Sequence, residues 1–77
     1  METELLKRIT VNPGIFNGKP IIRGMRFTVA DILDLLSADM TPDEIITDYP
    51  FLEKDDIRAA LLYASLRLKN TLIINAA

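Results

Sequence analysis

The sequence predicts a mainly α domain in which an N-terminal β-hairpin packs on three helices. The chain has 77 residues, which is the size of one domain. Two glycine turns, at Asn17-Gly18 and Arg23-Gly24, bracket a short apolar stretch that favours a β-strand. Thr28 and Thr41 each stand three residues before an acidic residue and just ahead of an apolar run at helical spacing. That pattern is typical of a capped helix N-terminus.

Residues 1–28 are predicted to form the hairpin region. Ile9 to Val11 is β-prone and ends in a clear turn over residues 12–14. Pro20 to Ile22 reads as a second short strand, with proline at its first position. We expect Arg26 to Thr28 to pair antiparallel with this strand. The two would be joined by a two-residue loop at Gly24-Met25, in which glycine at the first position suits a type II′ turn.

That register would place Arg23 and Arg26 opposite each other on one face of the hairpin. Like charges in such a pair destabilise it. Two interpretations follow. An anion satisfies both arginines, which could be a phosphate, carboxylates of a partner or the acidic patch of a second protomer. Otherwise both side chains simply extend into water over their apolar stems.

Residues 29–69 are predicted to form the three helices. The first runs from Val29 to Ala38, and the second from Pro42 to about Tyr49, because a proline follows and disfavours helical geometry in the residue before it. The third runs from Glu53 or Lys54 to Lys69. The second and third have the outline of a helix-turn-helix. Residues 70–77 are uncharged and are predicted to form an extended tail. The predicted core consists of Ile22, Phe27, Val29, Ile32, Leu33, Leu36, Ile45, Ile46, Tyr49, Leu52, Ile57, Leu61 and Ala64.

Composition limits the function. Hydrophobic residues make up 49% of the chain, whereas a domain this small buries only about 60–65% of its surface. We therefore expect a homodimer or a tightly bound partner. The chain has no cysteine and no histidine, which removes the commonest nucleophile–base pairs and zinc ligands. We predict a protein that is not an enzyme, with no cofactor or metal, located in the cytoplasm and without a membrane segment.

Charge is strongly segregated along the chain. Residues 29–52 contain six acidic residues and no basic one, whereas residues 1–28 contain five basic and two acidic residues. The third helix begins with Glu53, Asp55 and Asp56, which would repel phosphates at the usual position of a recognition helix. We interpret these acids as helix-terminus charges rather than as cation ligands. The predicted nucleic-acid contacts are therefore Lys19, Arg23, Arg26 and Arg58.

One resemblance covers most of the chain, roughly residues 9 to 66. It rests on Pro13 and on the segments Asn17 to Gly24, Val29 to Leu33, Thr41 to Ile45, Tyr49 to Leu52 and Asp55 to Leu61, which fall in one order. With them the chain resembles the small prokaryotic family catalogued as domain of unknown function 433, whose members resemble VapB-type antitoxins. The sequence departs from the family pattern at Met25, at Asp39 where glycine usually ends the first helix, and at Glu53 where Ser or Thr usually caps the third.

The resemblance implies a homeodomain-like helical fold with an N-terminal hairpin. It also implies a non-catalytic, antitoxin-like protein that binds and neutralises a PIN-like nuclease toxin and binds operator DNA. The apolar side chains on a second face of the third helix and in the tail are the predicted partner contacts, namely Leu62, Tyr63, Leu66, Leu72, Ile73 and Ile74. The alternatives are a DNA-binding transcriptional regulator without a toxin partner and a small homo-oligomeric interaction module.

Overall fold

The computed structural model describes residues 2–71. The described chain is mainly helical, with one small antiparallel sheet. Its elements in chain order are α1 (Glu2–Leu6), β1 (Ile9–Thr10), β2 (Ile21–Ile22), α2 (Val29–Ser37), α3 (Pro42–Asp48) and α4 (Lys54–Thr71). Within these residues no helix has both the length and the apolar composition needed to cross a membrane. The predicted architecture of an N-terminal hairpin on a helical bundle is confirmed.

The sheet pairs β1 with β2, so that Ile9 lies opposite Ile22 and Thr10 opposite Ile21. The predicted return after β2 is reduced to a single bridge between Ile21 and Thr28. Between the two strands, the chain forms a 3-10 turn over Phe16–Gly18. The hairpin region is thus built on pairing between its first and last strands.

The turn after β2 differs from the predicted one. The Ile22 carbonyl accepts from the Met25 N–H at 2.8 Å, and the two residues between them, Arg23 (φ 44°) and Gly24 (φ 73°), are both left-handed. This is the backbone pattern of a type I′ turn, so the prediction of a type II′ turn at Gly24-Met25 is wrong. The cause is a contact with β1, because the Thr10 hydroxyl accepts from the Gly24 N–H at 3.0 Å.

Both predicted helix starts are confirmed. In α2 the Thr28 hydroxyl accepts from the Asp31 N–H at 2.9 Å, and the Asp31 carboxylate accepts from the Thr28 N–H at 3.0 Å. Thr41 and Glu44 form the same reciprocal box at the start of α3. Each box satisfies two backbone donors that a helix N-terminus would otherwise leave unpaired.

The end of α2 explains one departure from the family pattern. Asp39 is left-handed, with φ 72°. Its N–H donates to the Leu36 carbonyl, and the Met40 N–H donates to the Leu35 carbonyl, which together make a Schellman motif. Glycine is the usual residue at this position because it adopts positive φ without strain. Asp39 therefore occupies a glycine position of the fold.

The core lies between the hairpin, α2, α3 and the first half of α4. Its fully or nearly fully buried members are Ile22, Val29, Ile32, Ile45, Leu52, Ile57 and Ala60. Most of the predicted core is confirmed as buried or packed against this cluster, but Leu61 is 47% exposed and was wrongly included. Ala59 and Ala60 face inward instead. The buried face of α4 is thus centred on Asp56, Ile57, Ala59 and Ala60, and at 3.6 residues per turn Leu61 lies outside it.

Candidate functional site

A buried carboxylate, that of Asp56 in the first turn of α4, is the centre of a cluster of charged side chains. The Asp56 side chain is fully buried, with a relative exposure of 0%. Arg23 binds it with two nitrogens, Nε to Oδ1 at 3.0 Å and Nη2 to Oδ2 at 2.8 Å. Arg8 adds a contact from Nη1 to Oδ1 at 2.9 Å. One buried carboxylate thus joins the start of the chain, the hairpin turn and α4.

The backbone completes this cluster. Asp56 Oδ2 accepts from the Glu53 N–H at 2.8 Å, which is the acidic half of a capping box at the start of α4. Arg23 Nη2 also donates to the Phe51 carbonyl at 2.8 Å. Arg8 Nη1 reaches Glu53 Oε1 at 2.7 Å. The cluster therefore caps α4 without the Ser or Thr that usually performs this role.

These contacts set the ionisation of Asp56. Burial raises the pKa of its carboxyl, but the hydrogen bonds from Arg23, from the Glu53 N–H and from Arg8 lower it by more. The pKa of Asp56 consequently lies below its ordinary value. The hydrogen bond to the Glu53 carboxylate, followed by the one to Asp56, raises the pKa of Arg8, and the hydrogen bonds to Asp56 raise the pKa of Arg23.

This shift predicts an acid-sensitive fold. A carboxyl whose folded pKa is depressed stabilises the protein at pH values above its unfolded pKa, about 4, and this stabilisation is lost as the pH falls through the lower folded pKa. We expect the Asp56 carboxyl carbon, followed by NMR, to titrate below the ordinary aspartate pKa of about 4. The free energy of unfolding in urea should fall over the same pH range. Titration of Asp56 at or above that ordinary pKa would contradict the cluster.

The four predicted nucleic-acid residues occupy different environments. Arg23 is bound to Asp56, and Arg58 pairs with Asp55 at 3.3 Å on the surface of α4. Arg26 is exposed, with its guanidinium 5.9 Å from the centroid of the Phe16 ring. Lys19 is exposed beside β2. Two of the four residues, Arg23 and Arg58, thus form ion pairs with the acidic first turn of α4. That all four residues contact a nucleic acid stays a prediction.

The predicted partner contacts lie on α4 and beyond it. Leu62, Tyr63 and Leu66 are half-buried, and Tyr63 packs against the core. The contacts at Leu72, Ile73 and Ile74 lie outside the described residues. The stretch 62–66 therefore combines apolar contact with partial exposure, and its role in binding stays a prediction.

An apolar groove runs between α2 and the second half of α4. It has a volume of about 330 Å³, and its walls are formed mainly by Pro20, Val29, Leu33, Tyr63, Ala64 and Leu68. Lys19 and Arg67 also contribute to its lining. The groove continues the core-facing stripe of α4, which is buried at Ile57 and Ala60 but 67% exposed at Leu68. Among residues 2–71 this groove is an open continuation of the core.

An acidic face covers α2, α3 and the turn between them. Its exposed carboxylates are those of Asp34, Asp39, Asp43, Glu44 and Asp48. Lys54 forms an exposed ion pair with Asp43 at 2.9 Å. Exposed pairs of this kind contribute little to stability, and this one leaves most of the negative charge of the face uncompensated. Within residues 2–71 no group of three or more acidic side chains is arranged to hold a metal ion.

Sequence reasoning missed the cluster around Asp56. It treated Glu53, Asp55 and Asp56 as helix-terminus charges, which the hydrogen bond to the Glu53 N–H confirms in part. It assigned no role to Arg8. The available signal was the absence of a Ser or Thr cap at position 53, which requires some other group to satisfy the start of α4.

Comparison with known proteins gives the same family as the sequence motifs. The family model described as "Protein of unknown function (DUF433)" matches residues 9–64. A relative from Sinorhizobium fredii, named "Uncharacterized protein y4eO", is 32% identical over 56 residues, or 73% of this chain. The chain spans only 25% of that relative's length. No solved structure matches the chain. The matched residues include the hairpin turn, all of α2 and α3, and the Asp56 end of α4, and the chain belongs to the DUF433 family.

Proposed function

We propose that this domain is a non-catalytic, antitoxin-like binding module that neutralises a PIN-like nuclease by covering its basic RNA-binding surface. The observation that carries the proposal is the acidic face on α2 and α3. Five exposed carboxylates lie there, and the stretch from 29 to 52 contains no basic residue of its own. A surface of one sign attracts a partner of the opposite sign, speeds its encounter and fixes its orientation.

The arrangement of the other charges supports this surface as the binding face. Arg8 and Arg23 are held by Asp56, so these two cations compensate a buried carboxylate rather than the acidic face. The capping boxes at Thr28 and Thr41 stabilise the N-termini of α2 and α3. A rigid face loses less conformational entropy on binding than a mobile one. The domain therefore presents its negative charge on preorganised helices.

The basic residues of the hairpin region give weaker support for DNA binding. Arg23 is bound to Asp56 and the exposed Arg58 is paired with Asp55, which leaves Lys19 and Arg26 as the members of the predicted set without an ion pair among the described residues. Neutralising phosphates is what gives most proteins their affinity for DNA. The acidic face would oppose that contact, so we favour a protein partner over DNA as the primary target.

The proposal predicts a charge-dependent complex with the nuclease encoded in a neighbouring reading frame. The wild-type protein should bind that nuclease and inhibit its cleavage of RNA. Asp34→Lys/Asp48→Lys should weaken binding by about tenfold or more at low salt, and by less at high salt where the charges are screened. Isothermal titration calorimetry at two salt concentrations measures both effects.

The control is Glu4→Lys, which reverses an exposed charge on α1, away from the acidic face. Glu4 forms only an exposed pair with Lys7 at 3.3 Å, so its reversal should leave the fold intact. Equal weakening by the control and the double variant would refute the role of the acidic face. The absence of a nuclease from both neighbouring frames, or a nuclease that the wild-type protein does not bind, would refute the function.

A further inference from the structure

Three aromatic rings, from the end of the hairpin region and from the connection between α3 and α4, lie together. The ring centroids of Phe27 and Tyr49 are 5.1 Å apart, and the Phe51 ring centroid lies 5.6 Å from the first and 6.1 Å from the second. Phe27 and Tyr49 are half-buried and pack against the core, whereas Phe51 is 48% exposed. The cluster thus extends from the core to the surface, where exposed aromatic residues are typical of protein interfaces.

A shallow pocket opens beside two of these rings. It has a volume of about 290 Å³. Phe27 and Tyr49 line it together with three residues of α2, namely Asp31, Asp34 and Leu35. Sites for small molecules begin at about 300 Å³, so the pocket has the size for a single side chain rather than for a larger ligand. Its lining combines aromatic rings with acidic residues.

The two acidic residues of the pocket have hydrogen-bond capacity to spare. Asp34 is exposed, and its carboxylate has no ion pair within residues 2–71. One oxygen of the Asp31 carboxylate accepts from the Thr28 N–H in the capping box of α2, while the other accepts no hydrogen bond from the described part of the chain. Carboxylates beside aromatic rings favour a cation, because the negative charge of the former and the negative ring face of the latter both attract one.

No basic residue of the described chain lines this pocket. The two arginines closest to Phe27 along the sequence are engaged elsewhere. Arg23 donates to Asp56 at 2.8 Å, and the guanidinium of Arg26 lies 5.9 Å from the centroid of the Phe16 ring. The attraction of the pocket for a positive group is therefore available to another molecule.

We propose that this pocket receives an arginine side chain of the basic protein partner. A guanidinium is planar, so it stacks on an aromatic ring of the pocket while its N–H groups donate to the carboxylates of Asp31 and Asp34. Lysine is a compact and more strongly hydrated charge, which makes these two contacts less well. The proposal rests on the proposed function, because it names the side chain through which the basic partner is recognised.

The test is an NMR titration of the isotope-labelled full-length protein with acetylated and amidated peptides of sequence Gly-X-Gly-X-Gly. X is arginine, lysine or citrulline, the neutral analogue of arginine. The arginine peptide should shift the ring signals of Phe27 and Tyr49 and the carboxyl signal of Asp34 more than the signals of the remaining acidic face. The lysine peptide should bind at least about twofold more weakly, and the citrulline peptide should produce none of these shifts.

Variants then separate the pocket from the general charge of the acidic face. Tyr49→Leu removes a ring and Asp34→Asn removes a carboxylate, and each should weaken binding of the arginine peptide by about two- to fivefold. Tyr49→Phe keeps the ring and should bind like the wild type. Asp39→Asn is the matched charge control, since Asp39 is exposed on the same face but does not line the pocket, and asparagine tolerates its positive φ. Its effect should be smaller than that of Asp34→Asn. Circular dichroism confirms that each variant is folded.

Four results would overturn the proposal: no binding of the arginine peptide, equal affinity for the arginine and lysine peptides, shifts spread evenly over the acidic face, or equal weakening by Asp39→Asn and Asp34→Asn. The peptide titration needs no nuclease, so its failure is distinguishable from failure of the proposed function. A nuclease that binds a protein whose pocket ignores arginine would refute the pocket alone. An arginine peptide that binds as expected, with no nuclease bound, would refute the proposed function alone.

Discussion

Replacing Asp56 with asparagine is expected to destabilise the domain by about 3 kcal/mol, because it leaves two guanidinium groups without their shared buried anion. The substitution keeps the shape of the side chain, so the loss reports charge rather than a cavity. A domain of this size is expected to have only roughly 5–10 kcal/mol of stability in total. Urea denaturation followed by circular dichroism measures the change.

Asp55→Asn provides the control for this measurement. Asp55 stands next to Asp56 in the same first turn of α4, so both substitutions remove one negative charge from the same helix N-terminus. Its side chain is 50% exposed, and its contacts are with Arg58 at 3.3 Å and Arg8 at 3.9 Å. We expect a loss of less than about 0.5 kcal/mol. Similar losses from both substitutions would show that the buried cluster contributes nothing beyond the helix dipole.

Removing the charge of Arg23 is expected to cost about 2–3 kcal/mol, the second-largest effect. Arg23→Met keeps much of the apolar stem but removes two hydrogen bonds to Asp56 and one to the Phe51 carbonyl. Hydrogen bonds to charged groups are worth about 1.5–3 kcal/mol each, and the remaining contact with Arg8 compensates only part of the loss. The thermal midpoint and the urea midpoint should both fall.

Arg26→Met is the matched control, three residues along the same loop. Arg26 is exposed and lies over the Phe16 ring, so its removal should change stability by less than about 1 kcal/mol. Equal effects at the two positions would contradict the assignment of Arg23 to Asp56. The structural role of Arg23 also affects how DNA-binding tests are read. An Arg23 variant that loses DNA binding would not by itself locate a DNA contact, because the substitution also destabilises the fold. Loss of DNA binding in Lys19→Ala/Arg26→Ala would locate one, since both side chains are exposed.

The helices could be predicted from the sequence because their signals are local. Thr28 with Asp31, and Thr41 with Glu44, lie three residues apart, and the hydrogen bonds that they predict are the ones that form. The family could be predicted for the same reason, since its motifs are short segments in a fixed order. α3 and α4 begin within a residue of the predicted starts.

The Asp56 cluster could not be predicted, because its partners are far away along the chain. Asp56 and Arg23 are 33 residues apart, and Asp56 and Arg8 are 48 residues apart. No periodicity or spacing rule connects such positions. The error at the hairpin turn has the same origin, since β2 pairs along its length with the distant β1, whereas its pairing with residues 26–28 is reduced to the bridge between Ile21 and Thr28. The exposure of Leu61 likewise follows from which face of α4 the tertiary packing buries, and the apolar pattern alone does not reveal that face.

The order of synthesis gives the Asp56 cluster a further consequence. Both arginines leave the ribosome well before their carboxylate, since Arg8 precedes it by 48 positions and Arg23 by 33. Until the first turn of α4 has emerged, the nascent hairpin region carries two cations without their anion, and a lone hairpin is not stable in water. The hairpin region and the first turn of α4 can therefore be joined by this cluster only after residue 56 has been synthesised, which makes their ion pairs a late contact of the growing chain.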